Sequence, residues 1–217
     1  MELPTERTPE SVVEYIISVM TASETTPYIG EPISQLQHSL QCAAQAADAV
    51  PAVDEATQVA ALLHDIGQFA PARDIRALVS KSGQQAEIQN LGGQPASQSV
   101  GRVGHETLGA QFVLALGFSS KVARLVESHV AAKRYLCAVD TSYMDRLSDA
   151  SKRSLMYQGG PMSGDERDAF GAEAWCQEMC QLRKWDDEAK VENLVVRDIE
   201  SWRPALLRQL RENVGDN

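Results

Sequence analysis

Apolar residues recur along this chain at three- and four-residue spacing, and the two-residue alternation of a half-buried strand is nearly absent. That periodicity restricts the fold to helices packed on helices. Thr8-Pro9 reads as an N-cap followed by proline in the first turn, opening a helix to about Met20. Tyr28-Ile-Gly-Glu31 is a break. The stretch from Pro32 to Val50 is an alanine-rich helix, with Leu36, Leu40, Ala43 and Ala47 on one stripe. Asp54 caps a third helix that ends near Gly67. His105 opens a fourth, stopped at Gly117, and Ser119 or Ser120 starts the next. Shorter helices are expected around 143–156 and 163–182. A last one starts from about Val195, with Pro204 bending or restarting it. The expectation is an all-α helical bundle in one domain over 1–217. It is interrupted at about 81–104 by a Gly-, Gln- and Ser-rich stretch that reads as a long loop insertion.

Charge narrows the possible partners. A formal charge of −10 argues against nucleic acid and anionic membranes, because both need a basic face. A locally positive pocket for a small anion remains compatible with it. No apolar run approaches the roughly 20 residues of a membrane span. The start of the chain is acidic and has no leader-type apolar core. Cys42, Cys137, Cys176 and Cys180 form no CxxC pair and read as reduced thiols of a cytoplasmic protein.

Only four histidines occur, and they fall on four different expected helices: His38, His64, His105 and His129. His64 is followed directly by Asp65. Neighbouring residues on a helix point about 100° apart, so Asp65 does not duplicate the direction of His64. It is free to reach a second metal or to bridge two.

This H…HD…D pattern, with two further histidines between the HD pair and a distal aspartate, resembles the HD-domain superfamily. Four further motifs narrow the likeness: Tyr28-x-Gly-Glu31 seven residues before His38, His129-xxx-Lys133, the "SKRSLMYQGGPMS" stretch from Ser151, and "RKWDDEAK" from Arg183. Together they resemble the branch of mixed-valent di-iron oxygenases that includes glycine-forming 2-amino-1-hydroxyethylphosphonate dioxygenase and its relatives. The resemblance covers nearly the whole chain from Tyr28 to Lys190.

It implies an HD-domain helical bundle with two iron ions. His38, His64, Asp65 and Asp186 would hold one iron. His105 and His129 would hold the other, with Asp65 bridging and Asp187 the adjacent competitor of Asp186. Mixed nitrogen and oxygen ligation suits iron and leaves manganese, zinc or cobalt open.

Lys133 shares a helical face with His129, and Arg183 lies three residues before Asp186. With Ser151, Ser154 and Gln158 they supply two cations and several neutral donors, a set that fits a three-oxygen dianion. The resemblance assigns these positions to a phosphonate. It gives Tyr28 an iron position before substrate arrives and Glu31 the substrate amine. It also places a histidine where this chain has Gln68, beside the substrate. Glutamine keeps donor and acceptor atoms but cannot titrate near pH 7. The implied reaction is O2-dependent cleavage of a C–P bond, giving inorganic phosphate and an amino-acid-type carboxylate. A separate 2-oxoglutarate-dependent hydroxylase would supply the substrate. A metal-dependent phosphohydrolase acting on a phosphate ester is the principal alternative, because the same cations would bind it. A cyclitol oxygenase sharing the di-iron set and a metal-bound sensing module are more distant ones.

Overall fold

The computed structural model describes residues 2–79 and 101–214, and among these no strand occurs; a single antiparallel bridge joins Pro27 and Ser34. The fold is all-α. Helix α1 (Pro9–Ala22) starts where Thr8 accepts a hydrogen bond from the Ser11 amide, with Pro9 in the first turn. Helix α2 (Gln35–Ala47) starts three residues later than expected from Pro32. Ser34 and Gln37 there cap each other's backbone reciprocally. A cap of this kind stabilises a helix start by about 1 kcal/mol.

Asp54 caps α3 (Glu55–Leu63) by accepting from the Thr57 amide. The break after α3 falls at the His64–Asp65 pair itself, and a short α4 (Ile66–Phe69) follows. Gly67, expected at a helix end, instead lies inside α4 against the backbone of α6 (His105–Ala115). A Cβ on Gly67 would stand 1.9 Å from the His105 carbonyl oxygen. Helix α5 (Ala72–Val79) has no counterpart among the helices expected from sequence. The loop expected at about 81–104 lies outside the described residues up to residue 100. Residues 101–104 turn into α6.

Helix α7 (Ser120–Val139), capped by Ser119, is the axis of the bundle and packs against α3, α6 and α11 (Cys176–Glu188). The helix expected around 143–156 is two, α8 (Thr141–Arg146) and α9 (Asp149–Tyr157). Leu147 turns extended and Ser148 caps the new start. The stretch 163–182 is also two, α10 (Gly164–Gly171) and α11, which runs on to Glu188. Near the C-terminus a 3-10 turn at Ile199–Trp202 leads into α12 (Arg203–Val214). Pro204 sits in its first turn, where a missing amide costs nothing, so it restarts the helix rather than bending it.

One continuous apolar cluster runs from Val12 to Leu210, with Ile16, Met20, Leu62, Phe112, Leu125 and Met179 fully buried. Burial at about 25 cal/mol per Å² makes this cluster the main source of stability. Leu36, Leu40 and Ala43 of the α2 stripe belong to it. The histidines sit at its centre rather than on its surface.

Candidate metal centre

His38, His105 and His129 come from α2, α6 and α7 and His64 from the end of α3, and all four are anchored in the same way. Nδ1 of His38 meets the carbonyl of Ala189 at 2.8 Å, and Nδ1 of His64 that of Ala61 at 2.8 Å. Nδ1 of His105 meets the carbonyl of Arg102 at 3.0 Å, and Nδ1 of His129 that of Val126 at 2.7 Å. A carbonyl only accepts, so each Nδ1 carries the proton and each Nε2 is left with a lone pair. Those lone pairs converge. Nε2 of His38 is 3.0 Å from Nε2 of His64, and Nε2 of His105 is 3.0 Å from Nε2 of His129. Two facing lone pairs repel unless a cation lies between them. Metal–nitrogen bonds of about 2.1 Å at right angles put adjacent ligand atoms about 3 Å apart, which is the spacing found. The residues fit metal ions.

The break between α3 and α4 places the Asp65 carboxylate between the two histidine pairs. Its Oδ2 is 3.7 Å from His38 Nε2 and 3.8 Å from His64 Nε2. Its Oδ1 is 3.4 Å from His105 Nε2 and 3.5 Å from His129 Nε2. One oxygen therefore faces each pair. Among the described residues two ligand groups result, His38–His64–Asp65 and Asp65–His105–His129. Asp186 joins the first, with Oδ1 3.3 Å from His38 Nε2 and 3.8 Å from His64 Nε2. Asp187 points elsewhere, to Arg183, Tyr143 and Lys190.

The electrostatics favour ionised carboxylates and, at His64 and His129, neutral imidazoles, the forms that bind metal. Burial pushes Asp65 upward, but His64, His105 and His129 outweigh it and hold the carboxyl well below the usual range. Burial likewise opposes Asp186, and Arg183, His38 and His64 overcome it. Burial and the neighbouring His105 push His129 down to about 3. Burial also lowers His64. His105 moves the other way, because its contact with Asp65 outweighs its burial.

A pocket of about 470 Å³ opens onto Asp65, His105, His129 and Asp186. The six residues expected from sequence to bind substrate, Gln68, Lys133, Ser151, Ser154, Gln158 and Arg183, and the two expected to act in catalysis, Tyr28 and Glu31, all line it. Lys133 is buried and donates to Ser154 Oγ at 2.7 Å. Burial, then Arg183, brings it down to about 7. Glu31 Oε1 and Gln158 Oε1 are buried there without a hydrogen-bond partner. The Tyr28 ring stacks on His38 at 3.9 Å, with its hydroxyl 3.4 Å from Asp186 Oδ1.

Two residues differ from their simple sequence reading. Arg183 is occupied by carboxylates, with Nη1 2.7 Å from Asp186 Oδ2 and Nε 3.2 Å from Asp187 Oδ2. Gln68 accepts through Oε1 from the Arg102 amide at 2.7 Å. Lys190 was not singled out from sequence. Its Nζ donates to Ser151 Oγ at 3.1 Å and lies 5.9 Å over the Tyr28 ring. Its place at the end of the RKWDDEAK motif, one turn past Asp186, was the available signal.

Residues 36–150 match the family described as HD domain. The chain is 35% identical over 200 residues to hydroxymethylphosphonate dioxygenase of Gimesia maris, covering 92% of this chain and 89% of that one. It is 31% identical over 205 residues to [1-hydroxy-2-(trimethylamino)ethyl]phosphonate dioxygenase (glycine-betaine-forming) of Leisingera caerulea, covering 94% of this chain and 93% of that one.

Proposed function

Because this chain belongs to the HD-domain family and to its phosphonate dioxygenases, we propose that it is a di-iron enzyme cleaving the C–P bond of a 1-hydroxy-2-aminoethylphosphonate-type substrate. The products are inorganic phosphate and an amino-acid-type carboxylate. The carrying observation is the pair of Nε2···Nε2 contacts at 3.0 Å on either side of Asp65, at the floor of a cation-lined pocket.

The atoms balance without a further reductant. A 1-hydroxyphosphonate holds four oxygens, and a carboxylate plus phosphate hold six, so one O2 supplies the difference. Carbon 1 is the only centre oxidised. His38, His64, Asp65, Asp186, His105 and His129 would hold the iron, which would supply activation of O2 and Lewis acidity toward the substrate's oxygens.

The chain's own residues orient and neutralise. Lys133 Nζ and Ser154 Oγ stand together at the pocket wall, with Ser151 Oγ and Lys190 Nζ beside them, and present donors to a phosphonate. Arg183 adds charge while fixing Asp186. Gln158 Oε1 and Glu31 Oε1 lack partners, and a substrate hydroxyl or ammonium supplies the missing donors. Tyr28, stacked on His38, closes the metal side of the pocket. Fixing the substrate in this way lowers the barrier by orientation and by charge compensation in a water-poor site.

The same reading covers the remaining context. A 2-oxoglutarate-dependent hydroxylase installs the 1-hydroxyl upstream. A single domain over 1–217 is supported by the continuous core from Val12 to Leu210. A cytoplasmic location is supported by four free thiols. No helix among the described residues is long and apolar enough to cross a membrane. Both named relatives are dioxygenases, which favours oxygenation over phosphate-ester hydrolysis.

The test compares hydroxymethylphosphonate, 2-amino-1-hydroxyethylphosphonate and its N-trimethyl derivative under air, with phosphate and carboxylate products both quantified. The account expects the amine-bearing substrate to have the highest kcat/KM, and Glu31→Gln to erase that advantage. Absence of phosphate release from all three contradicts it.

A further inference from the structure

Arg102 lies three residues before His105, and its side chain, amide and carbonyl each hold a different part of the chain around that histidine. Its guanidinium Nη1 donates to the carbonyl of Gly67 at 2.6 Å and to that of Ala70 at 3.2 Å. Its backbone amide donates to Gln68 Oε1 at 2.7 Å. Its carbonyl accepts the Nδ1 proton of His105 at 3.0 Å. One residue thus ties the α4 turn, which begins at Asp65, to the imidazole of His105. Gly101 completes the contact. Its φ is +91°, and a Cβ there would stand 2.6 Å from Gln68 Nε2, so glycine alone lets the Gln68 amide lie flat against this backbone.

From this geometry we infer that Arg102, acting with Gln68, is the positioning residue of the His105–His129–Asp65 metal site. The Arg102 carbonyl fixes the tautomer and ring plane of His105, as second partners of metal-bound imidazoles do. The side chain fixes that carbonyl by clamping it to the segment that carries Asp65. Bridging needs His105 and Asp65 in one frame, and this clasp of hydrogen bonds joins the α4 segment to the start of α6. The other site does not use it, since His38 and His64 rest on Ala189 and Ala61. Gln68 therefore works through Arg102, on the metal.

The inference rests on the two-metal reading above but not on the substrate, and its test needs neither substrate nor turnover. Metal-free protein is titrated with ferrous iron without air, and bound iron per chain is counted after gel filtration. The wild type is expected to hold two. Arg102→Met keeps the iron of the His38–His64–Asp186 site and loses affinity at the other by about tenfold or more. Arg102→Lys restores part of it, because an ammonium reaches one of the two carbonyls. An unchanged melting temperature of the metal-free variant separates positioning from general loss of structure. Should Arg102→Met fold poorly, Gln68→Ala removes only the amide contact and is expected to weaken the same iron preferentially. Two irons bound with wild-type affinity in these variants, equal weakening of both, or a wild type that holds only one overturns the inference. Failure to oxidise a phosphonate would leave the iron counts as expected, so the two readings fail separately.

Discussion

His38 and His64 face each other across 3.0 Å between Nε2 atoms, although each has its proton on Nδ1 and offers the other only a lone pair. Such facing lone pairs are compatible only with a cation between them, and the same arrangement is repeated at His105 and His129. A cation relieves both. Chelation of the metal is therefore expected to lower the melting temperature, and each tenfold excess of iron over its dissociation constant to restore about 1.4 kcal/mol. Asp65 serves both pairs, so Asp65→Ala is expected to empty both sites, whereas His129→Ala empties one. Elemental analysis of the reconstituted variants distinguishes these outcomes.

Arg183 and Lys133 line one pocket but are expected to fail differently. Arg183 grips Asp186 at 2.7 Å, and Asp186 is 3.3 Å from His38 Nε2. Arg183→Ala should weaken the first metal by about 10–100-fold, as loss of a ligand's hydrogen-bond partner does. Lys133 instead donates to the hydroxyl of Ser154. Lys133→Ala should raise KM with both metals retained. Metal content measured beside KM decides the matter.

Lys133 also gives a signed pH dependence. Its folded pKa of about 7 lies below the unfolded value of about 10.4, so between these limits the unfolded chain binds more protons. The cost of burying the ammonium is fully present below pH 7 and fades as pH rises toward 10. Lys133→Met is expected to stabilise the substrate-free protein by about 1–3 kcal/mol near neutral pH, and by less in alkaline buffer. Urea unfolding at several pH values reads this directly.

Gly67→Ala is expected to be among the most damaging small substitutions. The added methyl would overlap the His105 carbonyl, 1.9 Å away, and drive α4 from α6. A loss of about 3 kcal/mol or more follows from overpacking between two backbones. Thermal unfolding of the metal-free variant tests it. Asp65 and His105 are carried on the two elements forced apart, so metal binding should fall with it.

The candidate ligand set was legible through the H…HD…D pattern and the resemblance it carries, and the fold brings those six side chains together. The helix starts of α1, α3 and α7 could be read from Thr8, Asp54 and Ser119 acting as caps. Arg102 and Lys190 were not legible, since their partners are a backbone carbonyl and a serine hydroxyl brought close only by the tertiary fold. Gly67 reads in sequence as a helix end, because a close approach between backbones leaves no trace beyond the glycine itself. Asp186 and Asp187 could not be separated by spacing alone. The turn of α11 separates them, aiming one at His38 and the other at Arg183, Tyr143 and Lys190.

The proposed oxidation of carbon 1 in this pocket uses O2 and no other oxidant or reductant. O2 uptake and phosphate release are followed together on iron-loaded enzyme with 2-amino-1-hydroxyethylphosphonate and no added reductant. One O2 consumed per phosphate released, with release stopping when O2 is removed, is the predicted result. Phosphate released from the substrate or from a phosphate ester at the same rate without O2 would contradict it.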